Sequence, residues 1–219
     1  VPDLAHSLTQ KIVGAYESDS LSGRARLKRW REFAAAFPDV SQLRVLDLGG
    51  DARAWRAAPV RPAHVILANI FEQEVEEPWM TAIVADACDP SVELPEADLI
   101  YSNSVIEHVG GHWRRQRFAA AIRGAERYWV QTPNRYFPIE PHFMLPWVQH
   151  LPHRAQSALV ASWPLGNYAG QKDSDQTLDS ALDIELLSRT QMKFYFPDAE
   201  IRRERFLGLT KSLIAVKRD

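Results

Sequence analysis

Arg44-Val45-Leu46-Asp47-Leu48-Gly49-Gly50-Asp51 is the stretch on which the fold turns. An apolar strand runs straight into an acidic residue and two glycines. Glycines at such a bend let a ligand approach the backbone, and the N–H groups of the turn and the helix after it can bind a carboxylate or phosphate. The spacing is not G-x-G-x-x-G, which lowers the expectation of a dinucleotide pyrophosphate loop.

Working outward, further short aliphatic or β-branched runs follow at 64–69, 82–85, 97–101 and 128–131, each separated from the next by helical or loop stretches. Together with 43–48 this is a βαβ rhythm. It predicts a parallel sheet with helices on its faces and ligands beyond the carboxyl ends of the strands. Before the sheet, Leu27, Trp30, Phe33, Ala34 and Phe37 recur at helical spacing up to Pro38, with Arg24, Lys28, Arg29 and Arg31 between them as a solvated basic face. A second helix is expected over 112–127, with Trp113, Phe118, Ala121 and Ile122 on the apolar side and Arg114, Arg115, Arg117 and Arg123 in solvent. Residues 133–183 break the rhythm. Prolines punctuate an aromatic-rich stretch read as a cap of short helices and loops, and Gln171 to Asp183 is polar enough to be a mobile loop that closes over ligand. Ile184 to Phe196 reads as a helix, and 199–206 with 213–216 as a closing hairpin through Gly208.

The 219 residues suit one domain, divided into N-terminal helices (1–38), a binding core (43–132), the cap (133–183) and a final helix with strands (184–219). With 26 basic against 28 acidic residues, bulk attraction to nucleic acid is not expected. A single cysteine, Cys88, removes an intrachain disulfide scaffold, and no Cys/His pairing has zinc-finger spacing. No apolar run approaches the roughly 18 residues of a membrane span, so a soluble, cytoplasmic protein is expected. Val1-Pro2-Asp3 shows neither an initiator Met nor a signal-peptide core and leaves a removed leader open.

Chemistry-bearing residues sit just after each run: Asn69, then Asp86-Ala87, then Ser102-Asn103-Ser104-Val105-Ile106-Glu107-His108-Val109, then Thr132-Pro133-Asn134-Arg135. With the opening motif, they make the chain resemble a class I S-adenosylmethionine-dependent methyltransferase, of the small-molecule group with a Glu-His-Val signature after the fourth strand. The resemblance covers about 43–135 plus the final hairpin. It implies a doubly wound, mostly parallel seven-stranded α/β sheet with a cap after the fifth strand. S-adenosylmethionine would then lie with its methionine end on Asp47, Gly49 and Gly50 and above Ser102, Asn103 and Ser104. Asn69 would face the ribose, Asp86 and Ala87 the adenine, and Glu107 would stand beside them. Two departures stand out: Asp51 and Arg53 occupy places where D-x-G-x-G-x-G would have glycines, and Asn69 replaces the usual acid.

The activity expected is methyl transfer to a hydroxyl of a small acceptor, a sugar or a glycosylated or polyketide metabolite. A hydroxyl needs a base, and His142 (ahead of His108), with Glu140 beside it, is the candidate set. Glu107, Glu140, His108 and His142 could also form an oxygen/nitrogen metal site, but no spacing fixes it and no metal is assigned. The partners expected are the small-molecule acceptor and, as an open alternative, a second copy of the chain in a homodimer; neither nucleic acid nor a membrane is expected. Two rival readings are a nucleic-acid-modifying or -binding domain using the arginines of 24–31 and 114–127, and a non-catalytic protein that keeps the fold.

Overall fold

The computed structural model describes residues 21–163 and 184–218. In chain order these form α1 (Leu21–Ala36), β1 (Arg44–Leu48), α2 (Ala52–Arg56), β2 (His64–Asn69), β3 (Met80–Val84), β4 (Leu99–Asn103), α3 (His112–Arg123), β5 (Tyr128–Pro133), β6 (Ile139–Glu140), β7 (Leu145–Pro146), α4 (His153–Ser162), α5 (Arg189–Tyr195), β8 (Glu200–Phe206) and β9 (Leu209–Lys217). β1, β2, β4 and β5 are almost continuously buried along their length, as strands covered on both faces must be. β3 and β8 alternate or open to solvent, and they are the two edges of a seven-stranded sheet of order β3-β2-β1-β4-β5-β9-β8.

Strands β1 to β5 run parallel to one another, and β9 runs antiparallel to both β5 and β8. The register pairs Leu48 with Ala68, Asp47 with Tyr101 and Asn103 with Gln131, so the carboxyl ends of β1, β2 and β4 finish within a residue of one level and β5 runs on two residues beyond β4. The loops that follow them therefore meet. The hairpin between β8 and β9 turns on Leu207 and Gly208, both at positive φ, the mirror-image turn that matches strand twist.

Each sheet face has its own core. On one, Trp30, Phe33 and Phe37 of α1 and its extension pack against Trp55, Tyr101 and Trp129, with Trp30 stacked on Tyr101 at 5.5 Å and 8°. On the other, Phe118, Ala119 and Ile122 of α3 and Met192 and Tyr195 of α5 cover Leu46, Leu48, Ile66 and Val130. A small third cluster of Phe143, Leu145, Val148 and Val160 holds the cap together, where β6 and β7 form a two-stranded hairpin.

Several expectations change. Trp113 is 74% exposed, and Arg115 takes its place in the interior at 2%, because an ion pair with Glu185 at 2.5 Å lets the guanidinium enter. Arg29 also leaves the solvated face expected for it: it bonds Asn103 and Glu204, the latter at 3.0 Å. The helix expected from Ile184 begins only at Arg189, where Ser188 and Gln191 form a reciprocal capping box. Upstream, Leu187 bridges to Asn134 instead. β4 starts two residues later than expected and runs on to Asn103. The proposed loop Gln171 to Asp183 and the first 20 residues lie outside the described residues. No helix among the described residues is long and apolar enough to cross a membrane.

Candidate active site

The turn after β1 is built around one carboxylate. Asp47 is 1% exposed, its Oδ2 accepts from Trp55 Nε1 at 2.7 Å, and its Oδ1 has no hydrogen-bond partner among the described residues. Burial pushes its pKa up to about 7, with the Trp55 bond opposing and the Asp51 charge adding. Gly49 sits at φ +79°, and a Cβ there would lie 2.5 Å from Val105 Cγ2. At Gly50 a Cβ would lie 1.9 Å from Asp47 Oδ2, so the carboxylate folds into space that only a glycine leaves open. Asp51, where a glycine was the expected pattern, accepts from Arg53 N at 2.8 Å and caps α2.

Two cavities flank this turn and share Gly49 and Asp51 in their walls. The first, about 230 Å³, is lined by Arg26, Arg29, Trp30, Asp47, Gly50 and Asn103 among others. The second, about 380 Å³, is mostly apolar and runs along Asn69, Phe71, Asp86, Ala87, Ser104 and His108. Asn69 holds the turn itself, donating to the Gly50 carbonyl at 3.2 Å, while its Oδ1 accepts from Ile70 N. Burial would raise the pKa of Asp86, but Arg114 at 2.8 Å and the Cys88 N–H outweigh it and hold the group below its ordinary value. Asn103 accepts from Arg29 at 2.9 Å, and Ser104, at φ 57°, donates to Gln131.

Two expected contacts are displaced. Ser102 is fully buried and donates to the Leu48 carbonyl at 3.0 Å, bracing β1 against β4 rather than facing a cavity. Glu107 points away from both cavities into a separate cluster, because the Thr132 hydroxyl at the end of β5 donates to its Oε2 at 2.8 Å. Sequence reading missed Arg26, Arg29 and Arg114 as walls of the site, and Trp55 as the donor that holds Asp47, since the fold brings each there in a way that local spacing does not show.

The cluster beside Glu107 joins the two histidines. His108, exposed on the cavity side, and His142 face each other through their Nε2 atoms at 3.1 Å, their rings at 88°. Buried Glu140 accepts from His142 Nδ1 at 2.6 Å through Oε1, and from Phe143 N at 2.7 Å through Oε2. Burial disfavours charge on His142, yet the Glu140 bond and the nearby Glu107 outweigh it and raise its pKa. Crowding of the His108 ring by protein, and then His142, lowers that of His108. Burial lifts Glu107 to about 7. The residues read as rival bases are thus one hydrogen-bonded chain, Glu140 to His142 to His108.

No protein-family model matches the sequence, and no curated protein matches it either. Solved structures do. An S-adenosylmethionine-dependent methyltransferase from Mesorhizobium loti, 15% identical, superposes over 91% of this chain and 100% of its own with a TM-score of 0.55. The chain has the class I methyltransferase fold. The methyltransferase domain of bacterial CtHen1 covers 89% of it and 100% of its own chain at 10% identity and TM-score 0.53. The N-terminal domain of EvdMO1, crystallised in the presence of SAH and D-fucose, covers 99% and 94% at 14% identity and TM-score 0.50. The methyltransferase fold thus supplies the seven-stranded sheet and its neighbouring strand ends, while the glycine cradle and the histidine pair are described by this chain's own side chains.

Proposed function

We propose that the protein is an S-adenosylmethionine-dependent O-methyltransferase acting on a hydroxyl of a small polar acceptor. One observation carries this reading: His108 lines the larger cavity beside the glycine turn and touches His142, so a cofactor cavity and a proton-accepting cluster share a wall.

The residues fit the cofactor. Asp47 Oδ1 is a buried acceptor without a partner among the described residues, suited to an ammonium group, and the glycine cradle brings backbone close to it. The apolar second cavity, with Asp86 at its rim, is of the size and character of a small-ligand site. Asn69 would meet the ribose with whatever lone-pair capacity its turn-holding bonds leave. S-adenosylmethionine, when bound, supplies an electrophilic methyl group on a sulfonium. The chain's task is then to hold the acceptor at near-attack distance, keep water out and take one proton.

His142 is the favoured base. Glu140 fixes its Nδ1, which leaves Nε2 to accept the proton and keeps the resulting imidazolium beside a carboxylate. An acceptor hydroxyl reaching Nε2 replaces its contact with His108. That EvdMO1 was crystallised with a sugar is consistent with a sugar-like acceptor here. The test is methyl transfer from labelled S-adenosylmethionine to a panel of free sugars and phenolic or polyketide hydroxyls. His142→Ala should cut turnover by about a hundredfold or more, with affinity for S-adenosylhomocysteine nearly unchanged. Unimpaired turnover in both His142→Ala and His108→Ala would refute the assignment.

A further inference from the structure

We infer that Glu107, His108 and His142 bind one divalent transition-metal ion. One ligand atom from each of the three lies within 4.8 Å of the other two. The two Nε2 atoms stand 3.1 Å apart. Two imidazole nitrogens bound at about 2.1 Å and at right angles around one cation would be about 3.0 Å apart.

The hydrogen bonds behind the three groups point the same way. His142 gives Nδ1 to Glu140 at 2.6 Å, which leaves Nε2 as the free donor atom, the carboxylate–histidine arrangement that commonly stands behind a metal. Glu107 accepts from Thr132 at Oε2, while Oε1 is buried without a partner among the described residues. That second oxygen belongs to a side chain with 0% exposure, so the fold has committed a carboxylate to a place where nothing in the described protein answers it. The backbone supports the convergence. Glu107 and His108 follow β4, His142 lies in the β6–β7 hairpin, and the Glu107 carbonyl accepts from Glu185 N at 3.0 Å.

Two imidazoles and one carboxylate favour Mn²⁺, Co²⁺ or Zn²⁺ over Mg²⁺ or Ca²⁺, which prefer all-oxygen sets. Three protein ligands leave positions open on the ion. Since His108 also lines the larger cavity, those positions could take acceptor oxygens, and coordination would lower a hydroxyl's pKa so that its proton passes to solvent; in the metal-loaded chain His142 Nε2 is then a ligand, and its role as base belongs to the metal-free chain. This catalytic role rests on the methyl-transfer reading; the binding of the ion does not.

The experiment is equilibrium dialysis of the full chain against Zn²⁺ or Mn²⁺ in turn, with metal counted by mass spectrometry and Mn²⁺ followed by electron paramagnetic resonance. The same samples are titrated with S-adenosylhomocysteine as a separate readout. One ion per chain is expected, with affinity reduced at least tenfold in His108→Ala, His142→Ala and Glu107→Gln. Glu140→Gln, which acts only by positioning His142, should weaken the ion by about 10 to 100-fold while leaving the nucleoside titration unchanged. No stoichiometric ion in the wild type, or an ion that survives all three ligand substitutions, overturns the site. Missing heat with S-adenosylhomocysteine would overturn the cofactor reading alone.

Discussion

Asp47 accepts a hydrogen bond from the Trp55 indole at 2.7 Å and, in doing so, presses its carboxylate against the α-carbon of Gly50. The contact ties the end of β1 to α2 and leaves a buried acid whose pKa is pushed up to about 7. The folded chain thus holds a proton that the unfolded chain releases near pH 4. Stability from this group is intact below pH 4 and falls as pH rises to about 7, because the unfolded state there binds fewer protons. Across that window the loss is on the order of a few kcal/mol.

Asp47→Asn should remove that loss. Urea unfolding of wild type and variant across pH 4 to 8 is expected to show the variant gaining relative stability as pH rises and levelling off above 7. A difference that stays flat with pH would show that Asp47 is not the buried acid described.

The two turn glycines should be far less tolerant than the hairpin glycine. Gly50→Ala sets a methyl group on Asp47, and Gly49→Ala sets one on Val105 at a positive φ, so both should weaken S-adenosylhomocysteine binding by at least tenfold. At Gly208, also at positive φ, a Cβ meets nothing within 4 Å. Gly208→Ala should therefore cost only about 1 kcal/mol of backbone strain and leave binding unchanged. Equal effects at Gly50 and Gly208 would remove the cradle argument.

The buried Arg115 predicts an asymmetry. Glu185 is about half exposed and can be solvated if Arg115 is removed, whereas Arg115 cannot be if Glu185 is removed. Glu185→Ala should accordingly lower the chemical-denaturation midpoint more than Arg115→Met. The reverse order would mean that packing, not the ion pair, places the guanidinium.

Nucleic-acid binding should be absent at physiological salt. Arg29, Arg114, Arg115 and Arg127, from the two basic stretches, are held by Glu204, Asp86, Glu185 and Asp39. Fluorescence anisotropy with single-stranded RNA and duplex DNA should show no association; tight binding that falls steeply with salt would restore the rival reading.

What the sequence showed depended on range. The strand-to-glycine turn at 44–50 and the strand-end positions of Asn69, Asp86 and Asn103 were legible because they follow from local run, bend and spacing. Arg29 and Arg115 were not, since their burial is set by Glu204 and Glu185, 175 and 70 residues away. His108 and His142 read as alternatives because a separation of 34 residues hides their contact; only the pairing of β4 with β5 and the turn into β6 bring them together. Ser102 misled for a related reason. It follows the fourth run as expected, but β4 extends far enough to turn its hydroxyl onto the Leu48 carbonyl.

Calorimetric titration of S-adenosylhomocysteine into the full chain tests the central claim most directly. The account predicts a single saturable site, weakened at least tenfold by Asp47→Ala while a surface substitution such as Leu207→Ala leaves it intact. Absence of any binding heat up to millimolar ligand, or a site indifferent to Asp47→Ala, would contradict it.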